Sequence, residues 1–203
     1  MTMPGRTIMG VCGSPRKGSN SRIMLEAMLE GARETGVETE LVVLSELAFS
    51  PCIGCERCRR AKICVGLTDD MTRLYPALVE SRGLVLASPT HNYNVTALMK
   101  AFIDRLYCFY DFTDDRPRAY SSRLAGQGRV AAAAAVCEQT DPADMGFTIE
   151  AMTRPLAALG YEIIGEVRTY GVFEAGGIKN HPDVLDRCRE LGRKTAQMIL
   201  SGG

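Results

Sequence analysis

The chain has 203 residues, of which 46% are hydrophobic and 24% charged, and its 24 basic and 24 acidic residues cancel. This length predicts one domain over residues 1–203 with a sizeable core. The neutral balance argues against binding to nucleic acid or to a membrane surface. No apolar run suits a signal peptide or a transmembrane helix, so we expect a cytoplasmic protein with reduced thiols.

Apolar runs alternate with amphipathic segments along the whole chain. The predicted strands are residues 7–12, 39–44, 83–88, 130–137 and 161–167. The predicted helices are residues 21–34, a helix opened by Asp69 and Asp70, a helix capped by Thr96, and residues 145–159 and 182–200, with a surface loop around 111–118. Short buried strands separated by helices predict a parallel sheet with helices on both faces. Ligands of such sheets bind beyond the carboxyl ends of the strands, so the loops after strands one, three and four are the candidates.

The first candidate loop reads Gly-Ser-Pro-Arg-Lys-Gly-Ser-Asn-Ser over residues 13–21 and leads into a helix N-terminus. Free backbone N–H groups favour an anion there. The candidate binding residues are Ser14, Arg16, Ser19, Asn20 and Ser21. Neither the Lys-Ser/Thr of a triphosphate loop nor G-x-G-x-x-G is present, and the many hydroxyl and amide groups suit a phosphate monoester. An ordinary Ser/Gly turn with a helix cap is the alternative.

The second candidate loop reads Ser-Pro-Thr-His-Asn-Tyr-Asn-Val-Thr over residues 88–96. Its side chains can stack on a planar ring and hydrogen-bond to the polar edge of that ring. The candidate binding residues are Pro89, Thr90, His91, Asn92, Tyr93, Asn94 and Val95. A turn with a helix cap would also explain this composition. The expected position beside the first loop favours ligand binding.

A dense group of cysteines follows the second strand, within residues 51–65. Cys52, Cys55, Cys58 and Cys64 have the spacing C-x2-C-x2-C-x5-C. Such a group can surround an iron–sulfur cluster. Two alternatives stay open: a zinc site, although zinc sites usually separate two C-x2-C pairs by a long spacer, and free thiols. Basic neighbours would lower the pKa of free thiols; these are Arg57, Arg59, Arg60 and Lys62. The other four cysteines are expected to be buried: Cys12, Cys108, Cys137 and Cys188.

The two loops, together with Met-Lys-Ala-Phe-Ile-Asp-Arg over residues 99–105, resemble the NADPH-dependent FMN reductase family. The cysteine group is similar to that of the iron–sulfur flavoproteins within this family. The resemblance implies a flavodoxin-like sheet of strand order 2-1-3-4-5, FMN at the two loops, and residues 138–141 closing over the flavin ring. It also implies a [4Fe–4S] cluster on the four cysteines, and a homodimer or homotetramer. His91 departs from the pattern, since many relatives carry Tyr there.

The predicted function is therefore a flavin-dependent oxidoreductase that relays electrons between two-electron and one-electron carriers. No catalytic side chain is predicted, because the cofactors supply the chemistry. The basic residues beside the cysteines could attract an acidic electron carrier such as a ferredoxin. The alternatives are an NAD(P)H-dependent FMN or quinone reductase without a cluster, and a thiol-based redox-sensing module that binds flavin.

Overall fold

The computed structural model of the chain describes residues 5–201, so the predicted domain bounds at 1 and 203 lie outside the described residues. The strands are β1 (Thr7–Cys12), β2 (Glu38–Val43), β3 (Gly83–Pro89), β4 (Tyr110–Phe112), β5 (Tyr120–Ser122), β6 (Val130–Val136) and β7 (Glu162–Thr169). The α-helices are α1 (Asn20–Arg33), α2 (Arg57–Ala61), α3 (Asp70–Glu80), α4 (Ala97–Arg105), α5 (Thr148–Ala158) and α6 (Pro182–Ser201). Within residues 5–201, no helix combines the length and apolar character needed to cross a membrane.

Five of these strands form one sheet in the order β2-β1-β3-β6-β7, and every neighbouring pair is parallel. Numbered without β4 and β5, this is the order 2-1-3-4-5, so the predicted flavodoxin-like sheet is confirmed. The central strands are apolar over nearly their whole length because helices cover both faces. That the whole chain is a single domain stays a prediction.

Helices α3, α4 and α5 cover one face of the sheet, where Met71, Phe102 and Ile149 belong to a common apolar cluster. Helices α1 and α6 cover the other face, with Met24 and Ile199 in a second cluster. The cysteines outside the dense group lie in these clusters and are buried, as predicted: Cys12, Cys108, Cys137 and Cys188.

The interpretation of residues 111–118 as part of a surface loop is wrong at its start, because β4 and β5 pair there as an antiparallel hairpin. Aromatic rings hold the two short strands together. Tyr110 contacts Tyr120 edge to face at 5.4 Å between ring centroids, and Phe112 lies against Tyr120 at 6.1 Å. Such cross-strand aromatic pairs stabilise short hairpins, and the polar, Pro-containing tip concealed them in the sequence.

Candidate functional site

A cavity of about 340 Å³ lies beyond the carboxyl ends of the parallel strands, and we call it the strand-end cavity. All the candidate residues of the first loop line it: Ser14, Arg16, Ser19, Asn20 and Ser21. Four residues of the second loop join them: Pro89, Thr90, His91 and Asn92. The remaining lining residues come from the ends of β6 and β7: Val136, Glu138, Val172 and Phe173. The two loops predicted to act together therefore meet at one edge of the sheet.

The first loop presents unsatisfied polar groups to the strand-end cavity. Ser19 caps α1 by accepting a hydrogen bond from the backbone N–H of Arg22. The Ser21 hydroxyl is buried and has no hydrogen-bond partner among the described residues. Leaving such a group unpaired costs about 1–3 kcal/mol. A bound anion at this helix N-terminus would satisfy it, so the residues present fit a phosphate group.

Arg16 and Asn20 also hold the loop that follows β7. The Arg16 guanidinium lies 4.4 Å from the ring centroid of Phe173 and donates a hydrogen bond to its backbone carbonyl. The Asn20 amide donates to the carbonyl of Glu174 and accepts from the N–H of Ile178. Sequence reasoning missed Val172 and Phe173 as lining residues. The rule that ligands bind at the carboxyl ends of parallel strands also applies to β7 and could have found them.

Three predicted residues do not line the strand-end cavity: Tyr93, Asn94 and Val95. A tight turn is the reason, since the backbones of His91 and Asn94 hydrogen-bond to each other in both directions. Tyr93 has a φ of +63° and its side chain is 59% exposed, while Val95 is buried in the core. A left-handed backbone conformation at a tyrosine costs about 1–3 kcal/mol of conformational strain, so the surrounding structure must hold it. The N–H of Phe147 does so by donating to the Tyr93 carbonyl.

A second cavity, of about 410 Å³, lies beside the segment between β2 and α3, and we call it the cysteine cavity. All four clustered cysteines line it: Cys52, Cys55, Cys58 and Cys64. Asp104 and Tyr107 form part of the opposite wall. Gly66 leaves room for the Cys55 sulfur, because a Cβ atom at this position would displace it. The sequence segment is thus folded into a cup lined by thiols.

The thiols that line the cysteine cavity supply the ligand atoms that an iron–sulfur cluster takes. Among residues 5–201, no three His, Cys, Asp or Glu side chains are grouped so as to hold a single metal ion. Zinc needs four ligand atoms converging at about 2.0–2.3 Å, whereas a cluster spreads its thiolates over several irons. The four cysteines are the residues here that would hold such a cluster.

The prediction that basic neighbours would lower the thiol pKa values is wrong for Cys58. Burial raises the pKa of the Cys58 thiol, and the nearby thiols of Cys64 and Cys52 raise it further. Two of the four basic side chains are engaged elsewhere, because Arg59 pairs with Asp114 and Lys62 with Asp111. Cys58 therefore lacks the lowered pKa of a reactive thiol.

A buried ion pair closes the base of the cysteine segment. The Arg105 side chain is fully buried and donates to both carboxylate oxygens of Asp69, at 2.7 and 3.0 Å. Arg105 also donates a hydrogen bond to the backbone carbonyl of Ser50. The backbone N–H of Ser50 in turn donates to the Asp69 carboxylate. The Arg105 guanidinium holds the pKa of the Asp69 carboxyl below its usual value. Asp69 also caps α3, so the sequence prediction of a helix that starts at Asp69 and Asp70 is confirmed.

One helix, α4, connects the two cavities. At its N-terminus Thr96 caps the helix and donates a hydrogen bond of 2.6 Å to the carbonyl of Gly13 in the first loop. A Cβ atom on Gly13 would lie 2.7 Å from Met99, so only glycine allows this close approach. At the other end Arg105 binds the base of the cysteine segment. The nine residues of α4 span about 14 Å, a rigid link between the loops.

Known proteins share both the sequence and the fold. Residues 6–145 match the family described as NADPH-dependent FMN reductase. An iron-sulfur flavoprotein of Archaeoglobus fulgidus is 34% identical over 197 residues, which cover 95% of this chain and 80% of the relative. One from Methanocaldococcus jannaschii is 27% identical, covering 95% of this chain and 96% of the relative. A flavodoxin from the domain Archaea shares the fold, with a TM-score of 0.56 and 13% identity over 95% of this chain and 98% of that one.

Proposed function

The chain belongs to the NADPH-dependent FMN reductase family, among its iron–sulfur flavoproteins. We propose that it is an electron relay with one cofactor in each cavity. Family membership makes the protein a flavin-dependent oxidoreductase that uses FMN. The finer proposal is that FMN occupies the strand-end cavity and a [4Fe–4S] cluster the cysteine cavity. The observation that carries it is that α4 links two cavities of such different chemistry.

In the strand-end cavity, the first loop would hold the phosphate of FMN. The buried Ser21 hydroxyl and the N-terminus of α1 offer hydrogen-bond donors without partners among the described residues. Pro89 to Asn92 would lie along the flavin ring, and the loop after β7 would restrict water through Phe173. The chain's residues thus bind and orient, while bound FMN supplies the exchange of electron pairs for single electrons.

In the cysteine cavity, Cys52, Cys55, Cys58 and Cys64 would each ligate one iron of a cluster that passes single electrons. The similarity to iron-sulfur flavoproteins favours this over a cluster-free reductase or a thiol sensor. The raised pKa of Cys58 also argues against a reactive free thiol. The eight cysteines form no disulfide among the described residues, which supports a cytoplasmic location, and NAD(P)H is the electron source that we propose.

Two further parts of the proposal concern partners. Arg57 and Arg60 are exposed and form no ion pair among residues 5–201, so they would attract an acidic carrier such as a ferredoxin. We expect the electron-transfer rate to fall as ionic strength rises, and a flat dependence would contradict this docking.

A homodimer or homotetramer is supported by Phe147, an exposed aromatic side chain beside an apolar groove. Sedimentation equilibrium tests it, and a monomer at micromolar concentration would contradict it.

Anaerobic purification with iron, sulfide and flavin quantified tests the central proposal. We expect about four irons, about four sulfides and about one FMN per chain. Protein that binds FMN but takes up no iron on reconstitution would contradict the cluster. In that case steady NAD(P)H oxidation would indicate a simple reductase, whereas reversible thiol oxidation without turnover would indicate a sensor.

A further inference from the structure

Two residues of the cysteine segment have a backbone conformation that non-glycine residues rarely adopt. Glu56 has a φ of +53° and Lys62 a φ of +61°. They are the N-cap and C-cap residues of the short helix α2, so they flank Cys58 on either side. A left-handed glutamate or lysine persists only where the surrounding structure holds it in place. The question is therefore what holds these two turns.

The β4–β5 hairpin contacts both of them through charged side chains. Arg118, which follows the tip of the hairpin, donates to the Glu56 carboxylate at 2.9 Å. Asp111, in β4, pairs with the Lys62 ammonium group. Arg123, just after β5, donates to the carbonyl of Lys62 as well. Each left-handed turn is thus tied to residues that lie about fifty or more positions away in sequence.

The same hairpin also contacts α2 and the cavity wall between these two turns. Arg59 of α2 donates to Asp114 at 3.0 Å. Phe112 of β4 stacks on Tyr107, which lines the cysteine cavity. The Arg118 side chain is 16% exposed and the Glu56 side chain 45% exposed, so this ion pair is partly shielded from water and salt. The hairpin therefore spans the whole stretch from Glu56 to Lys62.

We propose that the β4–β5 hairpin is a clamp that sets the positions of Cys55 and Cys58 for the cluster, with Arg118 and Asp111 as its positioning residues. This inference rests on the proposed function, because the cluster is the group being positioned. Without the clamp the two turns relax towards right-handed conformations, and the cysteines must be reordered whenever the cluster binds. Holding the ligands in the bound arrangement beforehand removes that cost.

Removing one arm of the clamp and then its strained residue gives the test. The probe is a chelator, EDTA, added anaerobically to cluster-loaded protein, and the measured quantity is the rate of iron release. Arg118→Leu is expected to speed iron release about fivefold, which corresponds to the upper end of the free energies measured for exposed ion pairs. Adding Glu56→Gly should return the rate to within about twofold of the wild-type rate, because glycine adopts the left-handed turn without help. Asp111→Asn with Lys62→Gly repeats the comparison at the other turn.

Arg189→Leu is the matched control, since it removes two surface ion pairs, to Glu30 and Asp186, and Arg189 lies on α6, which covers the other face of the sheet from the clustered cysteines. Its iron release should equal that of the wild type. Wild-type release from Arg118→Leu, or no recovery on adding Glu56→Gly, would overturn the clamp alone. Wild-type protein that takes up no iron would instead overturn the proposed function. Unchanged FMN content in all variants shows that the fold persists.

Discussion

The two cavities are built in different ways. The strand-end cavity rests on the ends of parallel strands and on a helix N-terminus, so the sheet itself fixes its position. The cysteine cavity rests on a segment outside the sheet, in which α2, five residues long, is the longest regular element. Its shape depends on ion pairs to residues far away in sequence, chiefly Arg105 at the base and Arg118 at the hairpin.

This difference predicts different responses to mutation. A change in the strand-end cavity should alter ligand affinity and leave the cavity in place, because main-chain hydrogen bonds of the sheet hold it. A change at the ion pairs around the cysteine cavity should alter the cavity itself. The pairs are unequal, since an exposed pair contributes about 0–1 kcal/mol, whereas breaking a buried pair costs about 3–5 kcal/mol.

The largest expected effect is the loss of a cysteine ligand. Cys58→Ala and Cys64→Ala change the two clustered cysteines that are half-buried, so they remove thiols from the inner part of the cavity. We expect loss of most of the bound iron, because a four-iron cluster needs all four thiolates, while FMN content stays near that of the wild type. Iron, sulfide and flavin are measured after anaerobic reconstitution.

Cys188→Ala is the control for this experiment, because Cys188 lies on the buried face of α6 among apolar residues and belongs to neither cavity. It should keep its iron and lose only a little stability. Loss of FMN together with iron in Cys58→Ala would contradict the expectation that the two cavities respond independently to mutation. Full iron in both Cys58→Ala and Cys64→Ala would show that these thiols are not ligands.

The features that sequence reasoning predicted are those that depend on neighbours close in sequence. The caps at Asp69 and Thr96 follow from a side chain and a backbone N–H within one helical turn. The five parallel strands follow from short buried runs, and the strand-end cavity follows from their order. Local patterns were sufficient for these features because local contacts produce them.

The features that were missed depend on distant partners. Arg105 reads as the ordinary end of an amphipathic helix, and only the folded chain brings it to Asp69, 36 residues away. The hairpin strands are three residues each, too short for alternation to stand out beside the acidic tip. The φ of Tyr93 follows from the contact with Phe147 and not from its own preference.

The second largest effect should come from the buried ion pair at the base of the cysteine segment. Arg105→Met leaves the Asp69 carboxylate partly buried without its cation, and we expect a loss of about 3–5 kcal/mol in the free energy of unfolding. Urea unfolding of the apoprotein measures it. The double variant Arg105→Met/Asp69→Asn should recover part of the loss, because no uncompensated charge remains. A double variant as unstable as the single one would show that packing, and not charge, dominates.

The same pair predicts a pH dependence of stability. Arg105 lowers the pKa of Asp69 in the folded protein, so the folded state favours the ionised carboxyl more than the unfolded state does. The resulting stability is present above about pH 4, the ordinary aspartate range, and is lost as the pH falls through the folded pKa. Urea unfolding should show a smaller loss between pH 6 and pH 3 in Asp69→Asn than in the wild type. Equal losses would exclude this carboxyl as a cause.

The smallest expected effect concerns the strand-end cavity, where a mutation should change ligand affinity and leave the cavity in place. Ser21→Ala removes a buried hydroxyl that has no partner among the described residues, so the apoprotein should be as stable as the wild type or slightly more stable. FMN affinity, measured by fluorescence titration, should fall about tenfold if the phosphate uses this hydroxyl. Thr169→Val is the control, because the Thr169 hydroxyl is another orphan but does not line the cavity. Equal FMN affinities in the two variants would contradict a phosphate at Ser21. Weaker binding in Ser21→Ala alone would mean that the Ser21 hydroxyl binds the phosphate of FMN.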